Sequence, residues 1–288
     1  MIQHFRFGSP IRTDSVVQDI PVSSDAVPFL TADADGWVYT MAPDAIVYGL
    51  GEMPRGINKR GWHYVANNTD ESHHGENKVS YYGAHNFLLI DGGPGGDLFG
   101  VFVDFPGKVH YDIGYTVHDT LRFATEEPDY ELYILTGADL NDIAHQFRQL
   151  IGRSYIPPKW AFGLQQSRWG YKTAEDVREV ARQYKENDLP LDMICMDIDY
   201  MQDYADFTIN KERFPDLAAL AAELKAQGIR LVPIIDAGVR IDPEEPTCTE
   251  GLEKGYFCKK EDGTPFVAAV WPGKAYFADF LRPEGGRG

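Results

Sequence analysis

Nine consecutive residues, Met193-Ile-Cys-Met-Asp-Ile-Asp-Tyr-Met201, run apolar and then end in two carboxylates. On a strand each side chain faces the same way as its second neighbour, so Asp197 and Asp199 are predicted to leave one side of the chain together, with Met196 and Ile198 on the other. A charge on a buried strand must be paired or used, and the ligand-binding rim of a parallel sheet meets that requirement. Trp169, Asp236 and Trp271 follow other apolar runs in the same half of the chain, Trp271 within the turn-like Val270-Trp-Pro-Gly273. Such a set suits a neutral sugar: an indole packs against the apolar face of the ring, while carboxylates accept hydrogen bonds from hydroxyls. Trp160 reads as core packing, and Asp199 as the partner of a nearby base. Asp197-Ile-Asp199 could also be the divalent-ion motif of a sugar-nucleotide transferase, but the accompanying phosphate-binding loop is missing.

The elements that must position these residues alternate between strand and helix. Trp160 to Gln166 is predicted as a first strand, Met193 to Ile198 as a second and Ile229 to Ile235 as a third, where Pro233 should force a bulge. Thr173 and Asp176 form a capping-box start for a helix carrying Val177, Val180, Ala181 and Tyr184. A second helix runs from about Asp216 through Leu217, Leu220, Ala221 and Leu224 to Gly228. Three strand-helix units in a row, with no Gly-x-Gly-x-x-Gly after the first strand, predict the first part of a (β/α)8 barrel rather than a doubly wound sheet.

The prolines of Tyr155-Ile-Pro-Pro-Lys159 set a boundary, giving domains 1–154 and 155–288. Before it, Trp37–Met41, Asn86–Ile90, Phe99–Val103, Leu121–Phe123 and Tyr130–Ile134 read as short strands separated by turns, which predicts an antiparallel β-sandwich. Asp91-Gly-Gly-Pro-Gly-Gly96 is a hairpin turn rather than a phosphate loop. Between Met53 and Tyr82 alternation fails, so a long loop is expected, with a lid-like part in a neighbouring pocket. Its His73 and His74 lack metal spacing, and no metal site is expected. Leu140 to Ile151 has helical spacing, with Asp139 as N-cap and Gly152 as stop.

Across the 288 residues, 27 basic against 44 acidic side chains give a net charge of −17, which opposes nucleic acid and anionic membrane. Neither a signal peptide nor an apolar run of membrane-spanning length is present, and three cysteines form no CxxC pair, so a cytoplasmic protein with reduced thiols is expected.

Gly49-Leu-Gly-Glu-Met53, Tyr82-Gly-Ala-His-Asn86, Tyr155 to Trp160, Gln166-Ser-Arg-Trp-Gly170, Met196 to Met201, Phe207-Thr208, Pro233-Ile-Ile-Asp236 and Ala269-Val-Trp-Pro-Gly273 together resemble glycoside hydrolase family 31, the α-glucosidases and α-xylosidases, most nearly the bacterial α-glucosidase type. The resemblance covers nearly the whole chain, in the family's order. It implies an inserted subdomain at about 240–271. It also implies a pocket for the terminal non-reducing α-glucosyl unit of a small oligosaccharide, lined by Trp169, Asp197, Ile198, Ile234, Asp236 and Trp271. The loop from Asn67 to Asn77 would reach over that pocket. Family members are retaining hydrolases that need no cofactor and use two aspartates about 5–5.5 Å apart. The Trp-Asn-Asp-Met-Asn-Glu-like nucleophile motif is not found, so both catalytic groups are expected beyond Gly288 and none within the chain. Three barrel strands leave open edges, so these residues by themselves are expected to be inactive. An α-xylosidase and a non-catalytic sugar-binding fragment are the alternatives.

Overall fold

Short strands alternate buried and half-exposed positions through the first part of the chain: in Val109–Ile113 the side chains of Val109, Tyr111 and Ile113 are buried while His110 and Asp112 are not. That period of two needs a second apolar layer to cover it. The computed structural model, which describes residues 1–281, supplies one. The first part of the chain forms the strands β1 (Ile2–Phe7), β2 (Leu30–Asp33), β3 (Gly36–Thr40), β4 (Ile46–Gly51), β5 (Trp62–Ala66), β6 (Ala84–Asp91), β7 (Leu98–Asp104), β8 (Val109–Ile113), β9 (Thr120–Thr125) and β10 (Tyr130–Thr136). They form two five-stranded sheets, β1-β10-β7-β6-β4 and β2-β3-β9-β8-β5, all paired antiparallel. Val47, Leu88, Ile90, Phe99, Leu132 and Ile134 from the first sheet meet Tyr39, Tyr64, Tyr111, Leu121 and Phe123 from the second in one core. Burying each such side chain contributes roughly 1.5–3 kcal/mol. The predicted β-sandwich is thus present, and the glycine-rich turn joins β6 to β7 as a hairpin, with Gly93 at φ +73°.

Helix α1 (Leu140–Leu150) starts where Asp139 accepts a 2.8 Å bond from the Asp142 amide. It buries Ile143 and Leu150, and Phe147 stacks on Phe87 with centroids 3.6 Å apart.

One part of the long loop is not a loop. Residues 62–66 form β5, which pairs with β8 at the edge of its sheet. The signal is Tyr64 and Ala66, both buried on one face, but Trp62 obscures it by standing in solvent under the Arg55 guanidinium, 4.1 Å from its ring centroid. The part after β5, residues 67–82, is pinned by its own contacts: Tyr82 to Asp70 at 2.9 Å, Lys78 to Glu71 at 2.7 Å, and the Tyr81 hydroxyl to the Gly75 carbonyl at 2.9 Å.

A separate compact unit begins at Ile156, the first ending at Tyr155. It contains β11 (Gln165–Arg168), α2 (Ala174–Glu186), β12 (Met193–Met196), α3 (Leu217–Ala226) and β13 (Arg230–Pro233), followed by β14 (Gly238–Arg240), α4 (Pro246–Lys254), β15 (Val267–Val270) and β16 (Gly273–Phe277). Strands β11, β12 and β13 form a parallel sheet in sequence order, and β14-β16-β15 a small antiparallel one. Both bonds of the Thr173–Asp176 capping box are made, and Asp216 caps α3 through the Ala219 amide at 2.8 Å. Val177 and Ala181 of α2, Leu220 and Leu224 of α3, Phe214, and Ile194 and Met196 of β12 share a core. This is the expected partial barrel.

Three expectations are corrected here. The first strand begins at Gln165 rather than Trp160, because residues 159–162 close a 3-10 turn: the Ala161 amide bonds the Pro158 carbonyl and the Gly163 amide that of Trp160. Strand β12 stops at Met196, before either aspartate. Pro233 causes no bulge but ends β13 in regular pairing with Met196. The Arg230 amide donates to the carbonyl of Asp192, just before β12, and the Ile234 amide to that of Met196, at its end. Alternation therefore turns Pro233, which has no donor, toward the edge of the sheet that is unpaired among the described residues.

Candidate functional site

The parallel register aligns Arg168 with Met196 and Met196 with Pro233, so the three strands end level. The next residues, Trp169, Asp197 and Ile234, therefore leave one edge together, and Asp236 follows two positions on. Trp169 is 63% exposed and Ile234 44% exposed, so both are open to a ligand rather than used in packing. The Tyr200 hydroxyl donates to the Ile234 carbonyl at 2.7 Å, tying the turn after β12 to the end of β13.

Asp197 and Asp199 do not leave on one side, as a continuing strand would require. The backbone turns at Asp197 into a 3-10 helix over Ile198–Tyr200, and one Asp197 carboxylate oxygen caps it by accepting from the Ile198 amide at 2.7 Å. Asp199 is turned inward, 3% exposed, with Oδ2 lacking any hydrogen bond. The base expected beside it is not found among the described residues. Ile198 is 4% exposed and packs in the core with Met196 and Met201, so it supports the rim from beneath.

Asp236 is held by the backbone. Its Oδ1 accepts from the Ala237 amide at 2.8 Å, its own amide donates to Asp206 Oδ1 at 2.9 Å, and its Oδ2 is buried without a partner. Asp206, which sequence reasoning passed over, is 5% exposed, and burial together with the charge of Asp236 raises its pKa. The loop bearing it holds Asp203, Tyr204 and Phe207 at φ of 49°, 60° and 63°. Non-glycine residues in that region are strained, and such strain concentrates at functional sites. No local propensity announces it; only the Asp206-Phe-Thr208 run marks the place.

Trp271 occupies a two-residue hairpin, since Val270 pairs with Gly273 across the β15–β16 turn. The preceding Val270 reaches Gly238, where an added Cβ would fall 2.6 Å from its Cγ2. The small sheet is thereby anchored two residues after Asp236, with Trp271 73% exposed at its turn. Carboxylates fixed by backbone amides can accept hydroxyl protons, and an exposed indole can cover a sugar ring. Among the described residues no three His, Cys, Asp or Glu side chains gather as metal ligands.

Two family models match the chain. That of the glycosyl hydrolases family 31 TIM-barrel domain matches residues 154–287, and that of the glycosyl hydrolase 31 N-terminal galactose mutarotase-like domain matches residues 20–112. The chain belongs to glycoside hydrolase family 31. Alpha-glucosidase 2 of Bacillus thermoamyloliquefaciens is 40% identical over 82% of this chain, and alpha-xylosidase 1 of Arabidopsis thaliana 30% identical over 85%. The chain spans 30% and 27% of those relatives' lengths. Among solved structures, a family 31 dextranase of Flavobacterium johnsoniae complexed with isomaltotriose matches with a TM-score of 0.76 and 25% identity, covering 90% of this chain and 32% of that one. The level strand ends described above thus lie in the family 31 barrel domain.

Proposed function

We propose that this chain forms the sugar-holding part of a retaining α-glucosidase that takes the terminal non-reducing α-linked glucosyl unit of a neutral oligosaccharide. The level ending of β11, β12 and β13, which sets Trp169, Asp197 and Ile234 on one edge with Asp236 beside them, carries the reading. The indoles of Trp169 and Trp271 cover the apolar side of the ring, and the carboxylates of Asp197 and Asp236 accept from its hydroxyls. The bacterial relative's name and the isomaltotriose bound by the dextranase support glucose. The Arabidopsis relative favours α-xylosidase as the second reading. Three free cysteines suit a cytoplasmic setting.

Retention needs two carboxyl groups about 5–5.5 Å apart, flanking the scissile bond. Asp197, Asp206 and Asp236 instead follow neighbouring strands and bond backbone amides, an arrangement for holding hydroxyls. On this reading the 288 residues alone bind without cleaving.

A chimera tests the assignment, with this chain replacing the matching segment of the Bacillus thermoamyloliquefaciens enzyme. It should release glucose from maltose or isomaltose, while this chain alone releases none. Trp271→Ala in the chimera should raise KM about tenfold with the fold kept. A folded chimera that cleaves only α-xylosides transfers the assignment to the rival, and one that cleaves neither ends it.

A further inference from the structure

The segment 8–22 leaves β1 and arches back to it. The Ser9 amide bonds Asp129, the Thr13 hydroxyl bonds Asp104, the Val17 amide bonds the Leu150 carbonyl, and Val22 returns beside His4. Beneath it, on the face of β1-β10-β7 turned away from the sandwich core, lies a cavity of about 780 Å³. That size falls among small-molecule sites, which run to about 300–1,000 Å³.

Its wall carries hydrogen-bonding groups left unfilled. His4 is 3% exposed and stacks on Tyr133, with centroids 4.5 Å apart. Its Nδ1 lies 2.7 Å from the Ile20 carbonyl, which can only accept, so Nδ1 is the donor in that bond. Nε2 has no hydrogen bond, and Glu131 Oε1 lies 3.5 Å from it. Glu131 is meanwhile held by Arg6 at 2.8 Å and the Tyr133 hydroxyl at 3.0 Å. Asp104, 9% exposed, receives the Thr13 hydroxyl, at 2.7 and 2.8 Å, together with the Ser15 side chain. A hydroxyl group both donates and accepts, so it can satisfy His4 Nε2 whether or not that nitrogen carries a proton, and it can donate to the Asp104 carboxylate as well.

Charge narrows the class. An anion entering here meets Asp14, Asp19, Asp104 and Glu131, and a cation meets Arg6 and Arg12 at the mouth. A hydroxyl compound donates to the first group, accepts from the second and buries no charge. We propose that this cavity is a binding site for a neutral polyhydroxylated molecule of sugar size, distinct from the rim of the parallel strands.

Titrating maltose, isomaltose or glycerol into the 288-residue protein tests this, with the His4 ring proton resonances and the binding heat as readouts. A saturable shift of His4 is expected with at least one of them. It should survive in the Trp169→Ala/Trp271→Ala variant, so failure at the rim does not touch it. Asp104→Asn should weaken it about tenfold. If that variant does not fold, Arg12→Ala serves, since Arg12 is 90% exposed, and a roughly threefold loss is expected. An unmoved His4 at millimolar concentrations of all three compounds would mean that the cavity holds water only. A response to phosphate or to Tris but not to the polyols, or one abolished with the two tryptophans, would equally overturn the proposal.

Discussion

Asp206 shows what one buried carboxylate does for its neighbours. Its Oδ1 accepts the Asp236 amide, so it fixes the turn that aims a rim acid, although Asp206 itself is 5% exposed. Asn keeps that acceptor and removes the charge, whereas Ala leaves the Asp236 amide without its bond. Asp206→Ala should therefore cost roughly 1–3 kcal/mol in denaturant unfolding, and Asp206→Asn much less. The pH dependence follows from the raised pKa, caused first by burial and then by Asp236. The folded state holds this proton more tightly than the unfolded chain does. Its contribution is thus complete below the ordinary value of 3.8 and is lost as pH rises through the higher folded value. Unfolding midpoints measured across that range should fall less steeply for Asp206→Asn than for the wild type, and identical slopes would refute the assignment.

At the scale of the element, side-chain capping made the helices legible. Asp139, Thr173 and Asp216 each accept from an amide three residues on, so the starts of α1, α2 and α3 are written in single residues. Thr173→Ala breaks one of two reciprocal bonds and should cost about 1 kcal/mol, read as a lower unfolding midpoint; no change would mean that the packing of Val177 and Ala181 holds α2 unaided. Two strands, β11 and β5, carry no such marker and are hidden in the sequence. Strand β11, Gln-Gln-Ser-Arg, is polar, while the apolar Trp160-Ala-Phe that precedes it lies in a 3-10 turn. In β5 the period of two lasts only from Trp62 to Ala66, too briefly to stand out of polar text.

For the whole molecule, the two units differ in how completely their sheets are satisfied. The sandwich covers both inner faces with one aromatic-rich core and closes its outer side with α1. The parallel sheet has three strands, and the outer edges of β11 and β13 are unpaired among the described residues. Residues 1–155 expressed alone should therefore unfold cooperatively as a monomer, while the unit beginning at Ile156 should self-associate through its edges. Sedimentation and thermal unfolding of the two pieces decide this: an aggregating sandwich or a monomeric second unit would contradict it.

The order of elements, the helix starts and the residue types at the rim were determined by the sequence, because periodicity and capping act over three or four residues. The direction of each rim side chain was decided by tertiary structure. Asp197 and Asp199 are two apart and would share a face on any strand, yet β12 ends where its hydrogen-bonded partners end, and the turn then sends Asp199 into the core. Asp206 joins Asp236 across 30 residues through one amide, a contact that exists only once β12 and β13 lie side by side.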